Sequence, residues 1–170
     1  EVAKATQRPV IMYNVPSRTG VTILPETVAQ IAADAKNIVG IKEAAGDVAV
    51  IKKLKEVCPK DFLITSGDDP TYLKAMELGA HGVISVISHV VPRWCVDAAA
   101  RVGKGSTLAL SEQAVMLSKE LFCEANPIPV KWALKHMGVI DSAELRLPLV
   151  ELGENFHKPM TEALKHLGAL

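Results

Sequence analysis

Asn37-Ile38-Val39-Gly40-Ile41-Lys42-Glu43-Ala44 sets a lysine at the end of a short apolar run. Runs of this length and β-branched content read as buried strands. Lysine is among the residues least often buried, so one at the carboxyl end of such a strand needs a role. Two readings fit. In the first, Lys42 attacks a carbonyl substrate and forms a Schiff base, because desolvation disfavours the ammonium and frees a nucleophilic amine. In the second, Lys42 snorkels out of the strand end and pairs with Glu43.

The stretch upstream has the same design. Arg8-Pro9-Val10-Ile11-Met12-Tyr13 is a second apolar strand, and it runs into the loop Asn14-Val15-Pro16-Ser17-Arg18-Thr19-Gly20, rich in turn residues. Tyr13 ends its strand as Lys42 ends the next, and Arg18 lies just beyond. A phenol can pass protons, and a guanidinium can grip a carboxylate through two parallel bonds. Together the three residue types suit a 2-oxo acid: lysine for the ketone, arginine for a carboxylate, tyrosine for proton movement. Taken singly, Tyr13 also fits a core tyrosine with a satisfied hydroxyl, and Arg18 a solvated loop charge.

Outward from these segments, strand and helix patterns alternate. Residues 1–7 read as the tail of a helix. Strands are expected at 10–13, 38–42, 62–65 and 82–86. Helices are expected at 25–35, from Asp47 as N-cap to 57, at 70–78 and at 91–102. Further helical segments at about 106–123, 129–137 and 158–166 complete the chain. This order predicts an α/β fold with parallel strands and right-handed crossovers. No glycine-rich phosphate loop follows any strand, so a nucleotide-binding reading has no motif.

The motifs, taken together, resemble the dihydrodipicolinate synthase (4-hydroxy-tetrahydrodipicolinate synthase) family of lysine-dependent aldolases. They are Tyr13-Asn14-Val15-Pro16-Ser17-Arg18-Thr19-Gly20, Gly40-Ile41-Lys42-Glu43-Ala44, Ser66-Gly67-Asp68-Asp69, Gly82-Val83-Ile84-Ser85-Val86, Asn126-Pro127-Ile128-Pro129-Val130-Lys131-Trp132 and Leu145-Arg146-Leu147-Pro148. The resemblance runs through essentially the whole chain. It implies the C-terminal half of a (β/α)8 TIM barrel, with residues 1–103 as strands five to eight and residues 104–170 as a C-terminal helical extension. It implies that Lys42 forms an imine with pyruvate, whose enamine adds to aspartate semialdehyde in lysine and diaminopimelate biosynthesis. Tyr13 would relay protons, Arg18 would hold the aldehyde substrate's carboxylate, and Gly67 and Ile84 would line the pyruvate pocket.

The family's pyruvate-carboxylate threonines, a second tyrosine supplied across a subunit interface and most of its lysine-inhibition site belong to the first four barrel units, which this chain does not match. Activity is therefore expected to be incomplete without that half. The implied partners are a copy of the chain or an N-terminal half-barrel. A chain opening on Glu1 rather than methionine fits processing or a fragment. Two alternatives stay open: a non-catalytic fragment or interaction protein, and another pyruvate-dependent lyase such as N-acetylneuraminate lyase. Arg18 weighs against the last.

Composition bounds the core and argues against several partner classes. The 170 residues are 49% hydrophobic, enough for a sizeable core. Nineteen basic and nineteen acidic residues give zero formal net charge, which offers nucleic acid no basic face. Aromatic content of 4% argues against base-stacking platforms. Cys58, Cys95 and Cys123 are widely spaced and odd in number, which points to free thiols and a cytoplasmic setting. The five histidines are scattered, so no metal site is expected from them; no cofactor is expected either. No apolar stretch is long enough for a membrane span, and no signal peptide is visible.

Overall fold

The computed structural model describes all of residues 1–170. The chain forms two compact units, Glu1–Ile84 and Ser85–Leu170. The first contains β1 (Val10–Asn14), the helical turn α1 (Pro16–Thr19), α2 (Pro25–Asp34), β2 (Ile38–Glu43), α3 (Val48–Val57), β3 (Leu63–Ser66), α4 (Tyr72–Glu77) and β4 (Gly82–Val83). The strands lie in chain order β1-β2-β3-β4 and every pair is parallel, as the strand-helix alternation predicts. Parallel neighbours need a crossover, and the helices supply it.

Register decides what the sheet presents. Tyr13 is opposite Lys42, and Lys42 is opposite Thr65. One residue further on, Asn14 is opposite Glu43, and Glu43 is opposite Ser66. Successive strand residues point to opposite faces. The strand ends therefore carry two polar rows, one with Tyr13, Lys42 and Thr65, the other with Asn14, Glu43 and Ser66. All three members of the second row are buried.

The core of this unit joins Ile41 and Ile64 from the sheet to Val28, Ile51, Leu54 and Ala75 from the helices. Burying each large aliphatic side chain fully is worth about 1.5–3 kcal/mol. Helix α3 starts at Asp47, whose Oδ1 accepts a hydrogen bond from the Ala49 N–H at 2.9 Å, and turns Ile51 and Leu54 inward. Gly40 lets β2 and β3 close together: a Cβ there would lie 2.5 Å from the Leu63 carbonyl oxygen.

The second unit is helical, with α5 (Pro92–Arg101), α6 (Leu108–Leu121), α7 (Ile128–His136) and α8 (His157–His166). Ala114, Leu117 and Leu121 of α6 and Met160, Ala163 and Leu164 of α8 are buried. Trp132 of α7 stacks on both His136 and His157, with ring centroids 4.7 Å apart in each pair.

Three local expectations need correction. Residues 1–7 hold only a 3-10 turn, Ala3–Ala5, rather than the tail of a helix. The segment after β1 is not a plain loop: Pro16 fits the first helical position, and the Arg18 and Thr19 N–H groups both bond the Val15 carbonyl, winding residues 16–19 into α1. Strand β4 stops at Val83 rather than residue 86. The Ile84 N–H still reaches the Ser66 carbonyl, but beyond it the Ser88 N–H bonds Ser85 Oγ at 2.9 Å and Ser88 Oγ donates to the Ser85 carbonyl at 3.0 Å. Such serine bonds offer the backbone an alternative to the ladder, and Ile87–His89 forms a 3-10 turn instead.

Candidate active site

Lys42 is the penultimate residue of β2 and is still paired on both sides, with Tyr13 and with Thr65. Its ammonium lies over the Tyr13 ring, with Nζ 4.3 Å from the ring centroid. This is cation–π distance, and it brings the two polar heads to one face of neighbouring strand ends. Lys42 is half-buried and Tyr13 is 47% exposed, so the pair opens outward from the sheet.

Gly67, just past β3, lies against the lysine stem. A Cβ at this position would fall 2.6 Å from Lys42 Cε and 2.8 Å from Ala44 Cβ. Only a glycine leaves room for the side chain as it lies. The Gly67 N–H bonds the Glu43 carbonyl at 2.7 Å, which fixes that approach. Thr65, opposite Lys42 in the register, donates its hydroxyl to the Ile41 carbonyl at 3.3 Å.

Arg18 is exposed on α1, in the segment that follows Tyr13. Ile84 is 51% exposed at the end of β4, tied by its N–H to Ser66 at the end of β3. The structure thus brings both Tyr13 and Gly67 against Lys42. It places Arg18 and Ile84 on the segments leaving the strand ends to either side.

Glu43 does not pair with Lys42. Its Oε2 accepts from Asn14 Nδ2 at 2.7 Å and its Oε1 from the Ala45 N–H at 2.8 Å. Burial pushes this carboxyl above its usual range; the bonds from Asn14, Ala45 and Ala44 pull the other way, and the charge of Asp47 adds to the rise. Asn14 also accepts the Ile23 N–H on Oδ1 at 3.0 Å and the Ala44 N–H on its carbonyl at 2.9 Å. By sequence alone Asn14 reads as a turn residue and Glu43 as an ion-pair partner of Lys42; paired strands instead join the two to each other. The signal available was the matched dipeptides Tyr13-Asn14 and Lys42-Glu43, which in-register parallel pairing lays side by side.

No group of three or more histidine, cysteine, aspartate or glutamate side chains is placed to hold a metal ion. No helix is long and apolar enough to cross a membrane.

Comparison with known proteins gives one consistent result. The model of the dihydrodipicolinate synthetase family matches residues 1–167. The 4-hydroxy-tetrahydrodipicolinate synthase of Shewanella piezotolerans (strain WP3 / JCM 13877) is 47% identical over 169 residues, covering 97% of this chain and 57% of that protein. The Shewanella pealeana synthase is 48% identical over 168 residues, with the same coverage. Among solved structures, the Thermotoga maritima dihydrodipicolinate synthase superposes with a TM-score of 0.93 at 42% identity, covering 99% of this chain and 59% of that one. A chloride-inhibited dihydrodipicolinate synthase from Acinetobacter baumannii, complexed with pyruvate, gives 0.92 at 41% identity and covers 99% and 58%. The chain therefore spans somewhat more than half the length of the proteins it matches.

Proposed function

The chain belongs to the dihydrodipicolinate synthetase family, and from that premise we propose that it carries the lysine half of a Schiff-base condensation between pyruvate and aspartate semialdehyde. The observation that carries this reading is the contact of Lys42 Nζ with the Tyr13 ring, with Gly67 against the lysine stem, at the carboxyl ends of adjacent parallel strands. In barrels built from such units, catalytic groups sit at that face.

The chemistry runs in three stages. The Lys42 amine adds to the pyruvate ketone, and loss of water leaves an imine. Loss of a proton from the pyruvate methyl gives an enamine, with Tyr13, whose ring lies against Lys42, as the group that carries protons. The enamine carbon then attacks the aldehyde of aspartate semialdehyde to form the carbon–carbon bond, while Arg18 holds that substrate's carboxylate by paired hydrogen bonds; the alkoxide takes a proton, and displacement of Lys42 from the restored imine by water or by the substrate's own amine frees the lysine. Gly67 and Ile84 border the pyruvate side. A cytoplasmic setting fits the three free cysteines.

Full turnover requires four more strands to close the barrel and supply the remaining substrate contacts. Borohydride trapping with pyruvate followed by peptide mass spectrometry tests the central step. The expected result is one pyruvate adduct, on Lys42, absent from Lys42→Arg, because a guanidinium is not a usable nucleophile at neutral pH. Lysines such as Lys52, Lys53 and Lys55 sit on the helix α3 and should stay unmodified. An undiminished adduct on Lys42→Arg protein would sink the assignment, and no adduct at all would favour a non-catalytic role. Product analysis with aspartate semialdehyde against longer sugar acids separates the synthase from a sialic-acid-type lyase.

A further inference from the structure

Behind the row that holds Tyr13 and Lys42 lies a hydrogen-bonded chain that no step above uses. It begins at the Ile23 N–H, passes through Asn14 Oδ1 and Nδ2 to Glu43 Oε2, and ends where Glu43 Oε1 accepts from the Ala45 N–H, at 3.0, 2.7 and 2.8 Å. Asn14 is 1% exposed and Glu43 3%. Each is the residue immediately after a member of the lysine–tyrosine pair. The Asn14–Ile23 bond also closes the segment of residues 15–22, which carries Arg18. We propose that Asn14 and Glu43 are positioning residues: their buried pair clasps the ends of β1 and β2 so that Lys42 stays over Tyr13, and it closes the segment bearing Arg18. This rests on Lys42 being the nucleophile.

The identities of the two residues follow from donor counting. The chain has a backbone N–H at each end, and both must be accepted. An amide offers one acceptor and one donor; a carboxylate offers two acceptors. Asn14 followed by Glu43 therefore satisfies all three bonds. A glutamine at 43 leaves one donor facing another, whichever way either amide turns. An aspartate at 14 sets two carboxylates together. Exchanging the two chemistries satisfies the chain again: an aspartate at 14 accepts from Ile23 and from a glutamine at 43, whose oxygen accepts from Ala45. Buried groups left unmatched are costly, so each single change should displace a strand end.

The experiment compares the full chain with Asn14→Asp, Glu43→Gln and the double exchange, each labelled with carbon-13 at the lysine ε position. An ε-methylene held over an aromatic ring resonates upfield of the other lysines, and Lys42→Arg identifies the peak. The unvaried chain should show the shifted peak, each single variant should lose it, and the double exchange should regain it. Pyruvate trapping should follow the same order, falling roughly tenfold to a hundredfold in the single variants, the scale expected for about 1 Å of misplacement. A shifted peak that survives in both single variants overturns the proposal. Should either single variant fail to fold, the exchange decides: folded and shifted supports the clasp, unfolded or unshifted overturns it. If the unvaried chain shows the peak yet traps no pyruvate, the nucleophile reading falls, while the peak still decides the clasp.

Discussion

At the scale of single residues, the site is shaped as much by an absent side chain as by those present. Gly67 leaves its Cβ volume to the Lys42 stem and to Ala44. The two contacts differ in kind. Lys42 Cε is near the end of a flexible side chain and can move; Ala44 Cβ is held by a backbone whose N–H is bonded to Asn14. In Gly67→Ala the lysine should therefore yield first, at a stability cost of about 1–3 kcal/mol for overpacking. Its displacement from Tyr13 should slow pyruvate trapping by about a hundredfold. Thermal melts and trapping rates measured on the same protein check this. A folded Gly67→Ala chain that traps pyruvate at the original rate would show that the glycine matters only for packing.

At the scale of elements, β1 and β2 meet at Glu43, and its carboxyl makes the junction sensitive to pH. Burial is the largest influence and raises this group above its ordinary 4.5. The folded state then holds the proton more tightly than the unfolded one. Between about 4.5 and the raised value the unfolded chain binds fewer protons, so stability falls as pH rises through this window. Below it both states are protonated, and above it both are ionised and the loss is complete. A glutamine at 43 has no such slope. The stability of the original chain minus that of Glu43→Gln, from denaturant titrations at a series of pH values, should decline from about pH 4.5 upward and then level off. A difference that grows with pH would mean that the bonds from Asn14 and Ala45 outweigh burial.

The same junction shows what the sequence made legible. The strand and helix order could be read because apolar runs and amphipathic spacing are local signals, and Tyr13 and Lys42 stood out as polar residues ending such runs. Register is not local. Nothing in either segment alone says that Asn14 faces Glu43, so the clasp stayed hidden until the strands were paired. The end of β4 was missed for a related reason. Residues 82–86 carry a strand-like apolar pattern, while the competing bonds between Ser85 and Ser88 depend on three-dimensional placement. The helical turn at 16–19 was hidden by its own residues, since proline and glycine signal a turn and a short helix alike.

At the scale of the whole molecule, the sheet of four strands leaves β1 and β4 with one neighbour each. Along β1, Ile11 is 45% and Tyr13 47% exposed. Val10, Met12, Ile23 and Ile31 line an adjoining groove of about 840 Å³. Strand β1 has Pro9 before it and a register shift between Val10 and Ile11, but from Ile11 to Tyr13 it carries no charge or proline, and an apolar edge invites pairing with another strand. The relatives are longer, and a closed barrel of this class has eight strands. We therefore expect the isolated chain to self-associate, or to bind a half-barrel that supplies the other strands, and to lack ordinary synthase turnover by itself. Ile11→Lys places a charge on that edge at a half-exposed position, so it should shift the chain toward monomer at little cost in stability. Sedimentation velocity of both proteins, run beside a pyruvate and aspartate semialdehyde assay with and without an N-terminal half-barrel from a relative, reads the two expectations together. The original chain should sediment above monomer mass and Ile11→Lys nearer to it, and condensation should appear only when the complementary half is added. A soluble monomer of the original chain that turns over substrate unaided would show that four strands suffice.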